Sequence, residues 1–198
     1  MKLKFISAIF FALVLAVTSV VAASDKKMAD DGMMKKDKMM APFGGADDIA
    51  YAKDLWKKIE AKGLNATPAN LYVGGPPHGK VREVLEGMID GKRVIVKRNY
   101  GGKGVSIASV MKNRGMYLKA ITVMAKREKG YDSDNGDWFW VKYDPKGNIM
   151  KNPKKMVLAG RVAKGMPQGC IACHASASGN DLVFTHNKEA NAEVVYVK

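Results

Sequence analysis

The sequence predicts an α+β domain: a mainly antiparallel β-sheet with flanking helices. Two observations carry that expectation. Apolar residues recur at helical spacing in the first globular segment, and the period then changes to two over several segments rich in β-branched and aromatic residues. Turn signals separate those segments, which suits a meander of adjacent strands.

The elements follow in order. "ADDIAYAKDLWKKIEAKG" places Ile49, Ala52, Leu55, Trp56 and Ile59 on one helical face. Asp47 or Asp48 can cap its start and Gly63 can end it. "VREVLEGMIDG" repeats the spacing at Val81, Val84, Leu85 and Met88, and predicts a second helix ending at Gly91. "RVIVKRNY", "YLKAITVMAKRE", "DWFWVKYDP" and "KMVLAGRVA" then read as strands. "DSDNGD" (132–137) and "DPKGN" (144–148) read as turns between them, and Asp181 likewise reads as turn chemistry. Trp138, Phe139 and Trp140 alternate, so one face of their strand packs on the core while the other can face a cofactor.

Three segments are expected along the 198 residues. Residues 1–23 read as a secretory signal peptide. Lys2 and Lys4 precede the apolar run from Phe5 to Val21, and Val21-Ala22-Ala23 is a small-residue exit. An uncleaved anchor is the competing reading, since the run is at the short limit for a span. Residues 24–45 are Met, Lys and Asp with little to pack, and read as a flexible tether. Its Met28, Met33, Met34, Met39 and Met40 are soft thioethers that could bind Cu(I), but with no His or Cys beside them a plain low-complexity linker is the preferred reading. Residues 46–198 form the globular domain. The leader predicts export to the periplasm. The formal charge of +14 suggests acidic protein partners or a negative surface. Export and the absence of any nucleic-acid motif argue against nucleic acid as a partner.

The chemistry concentrates in "GCIACHASASGNDLVFTH". Cys170 and Cys173 are the two cysteines of the chain, and His174 follows directly. C-x-x-C-H is the attachment signature of a c-type haem. Two thiols three residues apart lie on one turn and can reach the two vinyl groups of one ring. The next residue sets an imidazole under the iron as proximal ligand. A disulfide would close a small strained loop. A zinc site would need further ligands, and His78 and His186 are distant in sequence. A thioredoxin-like pair would need a βαβ setting that the turn-rich "GRVAKGMPQG" does not provide. The motif therefore predicts one covalent haem c near the C-terminus, with Cys170 and Cys173 holding the ring and His174 the iron.

From His78 to His186 the chain resembles the cytochrome P-460 family, which includes cytochrome c′-beta. The resemblance lies in "HGKVREVL", "RVIVKRNY", "ITVMAKREKGYDSDNGDWFWVKYDPKGNI", "LAGRV" and the C-x-x-C-H segment. It implies a mainly antiparallel fold, a homodimer, and a haem that binds nitric oxide or oxidises hydroxylamine. It also implies that Lys97, in the strand after Asp90-Gly91, stands where some members join a lysine covalently to the haem. Those that oxidise hydroxylamine use a distal carboxylate. Here the corresponding strand has no acid, and Ile121 or Thr122 is expected in that place. A plain electron-transfer cytochrome with a six-coordinate haem is the alternative, with His78, His186, a lysine or a methionine as sixth ligand. Arg98 and Arg161 are candidate partners for the haem carboxylates.

Overall fold

The computed structural model describes residues 43–177, 179, 181–184 and 195–197. The expected signal peptide, the tether up to residue 42 and His186 lie outside the described residues.

Helix α1 spans Ala46–Ala61. Its start is held by Asp48 from the third helical position, whose carboxylate accepts from the Gly44 amide at 2.9 Å and the Gly45 amide at 3.4 Å. Gly63 follows the end at φ +68°, the left-handed region that a helix exit favours. Ala52, Leu55, Trp56 and Ile59 are buried, as their spacing predicts.

The sheet is built from β1 (Tyr72–Val73), β2 (Val81–Ile89), β3 (Lys92–Tyr100), β4 (Leu118–Lys126), β5 (Trp138–Tyr143) and β6 (Ala159–Gly160). They lie side by side in chain order and all six pair antiparallel. A further strand, β7 (Val195–Val197), runs parallel to β2. Asp90 and Gly91 join β2 to β3 with φ of 50° and 70°, the pair of positive angles that a two-residue hairpin needs. Two short helices, α2 (Ile107–Lys112) and α3 (Arg114–Tyr117), lead into β4. They escape the periodicity analysis because each is little more than one turn.

Residues 81–89 are a strand and not the expected helix. Val81, Leu85 and Ile89 face one side of the sheet with Glu83, while Val84 faces the other with Glu86. Both sides are covered, so β2 is buried almost throughout. Apolar residues from two faces then fall at spacings that mimic one helical face. "KMVLAGRVA" also contributes less than expected. Only Ala159 and Gly160 join the ladder, and Val157 makes a single bridge to Lys151.

The sheet separates two apolar layers. On one side α1 packs on Leu85, Val94, Val96, Ile121, Val123, Phe139, Val141 and Tyr143. On the other side Val84, Ile95, Met124, Trp138 and Trp140 meet Phe43, which precedes α1, and Val162 and Ile171 from the chain that returns after β6. The alternation in "DWFWVK" divides as expected, with Phe139 toward the helix and both tryptophans on the opposite face.

A candidate haem site between the sheet and the C-terminal segment

Cys170–His174 is a single helical turn, α4. It starts at Gly169, whose φ is +140°. A Cβ there would come within 2.2 Å of the Ala163 Cβ. Only glycine lets the turn sit this close to the segment after β6. Cys170 is partly buried and Cys173 is exposed, and both are free thiols. Burial pushes the Cys170 thiol up from its ordinary pKa. Among the described residues no group of three or more His, Cys, Asp or Glu side chains could hold a metal ion.

The His174 ring is held on three sides. Its Nδ1 is 2.7 Å from the Leu182 carbonyl oxygen. A carbonyl can only accept, so Nδ1 carries the proton and Nε2 is left with its lone pair. Trp140 lies edge-on with ring centroids 4.7 Å apart, and Phe184 does the same at 5.2 Å. Burial lowers the imidazole pKa to about 4, against the opposing pull of the Leu182 carbonyl. The ring is therefore neutral at physiological pH, the form that binds iron.

A cavity of about 580 Å³, partly open to solvent, lies against this ring. Its floor is the sheet face opposite α1. Ile95, Met124 and Trp140 form one rung across β3, β4 and β5, and Lys97, Thr122 and Lys142 form the next. Leu158, Val162 and Phe184 add apolar walls, and His78 and Cys170 complete it.

Lys97 is 7 % exposed. Its Nζ donates to the Phe184 carbonyl at 3.2 Å, and burial lowers its pKa to about 8. It is not the solvated strand lysine that a Lys-rich composition suggests. Of the two residues expected at the distal position, Thr122 lines the cavity. Ile121 points into the helix-facing core instead, because neighbours on a strand face opposite ways. His78 comes from the loop between β1 and β2 and also lines the cavity, half-buried, its pKa lowered to about 3 mainly by burial. Among the described lining residues there is no carboxylate.

Two expected cations lie elsewhere. Arg98 points to the helix side and pairs with buried Glu83 at 3.0 Å. Arg161 is exposed, with its guanidinium 4.8 Å from the Tyr131 ring centre. The cavity cation that the strand reading missed is Lys142. It was detectable in principle, since it alternates with Trp140. Leu182 and Phe184 were not detectable, because they act through backbone carbonyls and ring edges across a loop.

The residues fit a haem. The walls are apolar, one imidazole presents a free nitrogen, and a thiol stands beside it. In addition, the buried Trp140 Nε1–H has no partner among the described residues. Buried donors are rarely left so, and an acceptor on a bound group would satisfy it. Lys142 beside it is the cation that suits a carboxylate.

An α+β sheet whose cavity ends on C-x-x-C-H defines a c-type cytochrome. Residues 82–185, more than half of the chain, match the family model described as Cytochrome P460, and the chain belongs to that family. Its cofactor is a covalently attached c-type haem. No curated protein and no solved structure matches the chain.

Proposed function

We propose that the protein is an exported monohaem cytochrome that binds a small nitrogen compound, nitric oxide foremost, at a His-ligated iron. Cys170 and Cys173 would carry the thioethers, and His174 Nε2 would be the proximal ligand. When bound, the haem would supply an iron that can exchange one electron and take a small neutral ligand. The chain's own residues do the rest. Leu182 orients His174, Trp140 and Phe184 pack edge-on against its ring, and Lys142 with Trp140 Nε1–H would hold a haem carboxylate.

The observation that carries this reading is the cavity wall itself. Ile95 and Met124 are apolar, Thr122 is weakly polar, the wall also carries the amines of Lys97 and Lys142 and the imidazoles of His78 and His174, and no described lining residue is an acid. Oxidation of hydroxylamine needs a base within hydrogen-bond reach of the departing proton. A small neutral ligand needs none. Lys97, buried and with its pKa near 8, is available either as a hydrogen-bond donor to the ligand or for the covalent bond to the ring known in the family. The positive charge and the exposed Cys173 support an acidic redox partner docking near the haem edge. Export rests on the leader sequence, and a homodimer on the family resemblance.

A second reading, an electron carrier with a closed iron, is supported by His78, since a second neutral imidazole in the same cavity is a ready sixth ligand. The absorption spectrum of the ferrous protein separates the two. A five-coordinate spectrum that shifts on adding nitric oxide is expected. A low-spin six-coordinate spectrum, unmoved by nitric oxide and converted to five-coordinate by His78→Ala, would establish the electron carrier instead.

A further inference from the structure

The carbonyl that orients His174 belongs to a residue in an unfavourable conformation. Leu182 has φ +59°. A branched side chain in the left-handed region costs on the order of 1 kcal/mol and persists only where its surroundings impose it. The residue just before it supplies that imposition.

Asp181 is fixed at three points. Its Oδ2 is 2.5 Å from an Arg93 guanidinium nitrogen, and its Oδ1 is 2.7 Å from Lys126 Nζ. Its backbone carbonyl accepts from Trp138 Nε1 at 2.9 Å. Arg93, Lys126 and Trp138 stand at the neighbouring ends of β3, β4 and β5. Arg93 is itself gripped by Glu86 on β2, at 2.6 Å and 2.8 Å. The Lys126 ammonium also lies 4.1 Å from the centre of the Trp138 ring. An isolated half-exposed ion pair is worth little. Here two of them act on one side chain, and the indole bond acts on the backbone of the same residue. The ends of three strands thus converge on the residue whose successor presents its carbonyl to His174, and β2 braces one of them through Glu86.

We propose that Asp181 is a positioning residue for His174. By anchoring the chain at Leu182 it holds the Nδ1–H···O=C bond short, which keeps the imidazole a strong donor to iron and favours the ferric state. The inference rests on the reading of His174 as the haem iron's ligand. Loss of a partner of this kind typically changes a metal site by roughly 10–100-fold.

The test is the midpoint potential of haem-loaded wild type, Asp181→Ala, Asp181→Asn and Trp138→Phe, each with its melting temperature. Asp181→Ala is expected to raise the potential by about tenfold in the ferrous-to-ferric ratio, which is about 59 mV for one electron. Asp181→Asn keeps an acceptor for Lys126 and should recover part of the shift. Trp138→Phe removes the backbone anchor without changing any charge and should move the potential the same way. A merely structural role would lower the melting temperature and leave the potential alone, and that result overturns the proposal. So does a shift confined to the two charge-removing variants, since Asp181 would then act through its field only. If Asp181→Ala does not fold, Asp181→Asn and Trp138→Phe decide the matter. Haem content separates the two levels of failure. A loaded wild type with unmoved variants overturns this inference alone, whereas a wild type that takes up no haem overturns the ligand reading and the inference with it.

Discussion

Replacing Glu83 by alanine should cost the protein a large part of its stability. Glu83 is wholly buried on the helix-facing side of β2. It accepts from the Ala69 amide at 2.9 Å and from the Tyr100 hydroxyl. It also pairs with Arg98 at 3.0 Å and with Arg114 at 3.4 Å. Arg98 is 3 % exposed, so without Glu83 its guanidinium is a buried charge with no counter-charge in contact. Breaking a buried pair in this way costs about 3–5 kcal/mol. At 2–4 °C per kcal/mol for a domain of this size, Glu83→Ala should melt about 6–20 °C below wild type. Scanning calorimetry or circular dichroism on the haem-loaded protein measures it. Adding Arg98→Met removes the stranded charge and should recover part of the loss, because an apolar pair of similar volume replaces a buried ion pair at little cost. A Glu83→Ala protein within about 2 °C of wild type would refute the reasoning. A double variant no more stable than Glu83→Ala would also refute it, by showing that the charge on Arg98 is not what the loss strands.

Two further outcomes concern the cavity. Burial lowers the Lys97 pKa from 10.5 to about 8. Between those values the unfolded chain binds a proton that the folded one does not, so stability should rise with pH across that window, by up to about 3 kcal/mol at roughly 1.4 kcal/mol per pH unit. Lys97→Met should remove that rise in urea melts at pH 7.5 and 10, and the same pH dependence in both proteins would rule out a free buried amine. Trp140→Phe removes the unpartnered indole N–H at nearly constant apolar packing. If that N–H serves a haem carboxylate, the variant should keep its haem but show the carboxylate titrating at higher pH in a plot of potential against pH, and superposed curves would assign the indole no such role.

What the sequence revealed and what it concealed follow from where information sits in the chain. Helix α1 has one covered face, so its period shows directly in Ile49, Ala52, Leu55, Trp56 and Ile59. The turn chemistry of residues 132–137 is local and was readable for the same reason. β2 was misread because a strand covered on both faces loses its alternation, and because Glu83 and Gly87 occupy positions where an apolar residue would have exposed the period. The candidate haem-attachment residues were plain, since C-x-x-C-H is a contiguous spacing. The groups that tune them come from elsewhere. Arg98 and Lys97 are adjacent in sequence and equally basic, yet one is locked in the helix-side core and the other faces the cavity. Their roles separate only once strand register is known.

The same one-residue distinction decides which chemistry β4 can support. Thr122 lies directly opposite Lys97 on β3 and Lys142 on β5. Cross-strand partners of this kind hold their Cβ atoms about 4.5–5.5 Å apart. A carboxylate at position 122 would therefore stand between two ammonium groups. They would keep it ionised at neutral pH, which is the state a base requires. Thr122→Glu should retain its haem and gain hydroxylamine-dependent reduction of an electron acceptor, since a placed base contributes on the order of 10²–10⁴-fold. Ile121→Glu moves the same carboxylate one residue along the strand. It would bury the charge against Leu55 and Val96 in the helix-side core, so it should lose stability and gain no activity. A loaded Thr122→Glu protein with no gain would show that the cavity lacks more than a base. A gain in Ile121→Glu would mean that the face of β4 toward the haem has been assigned the wrong way round.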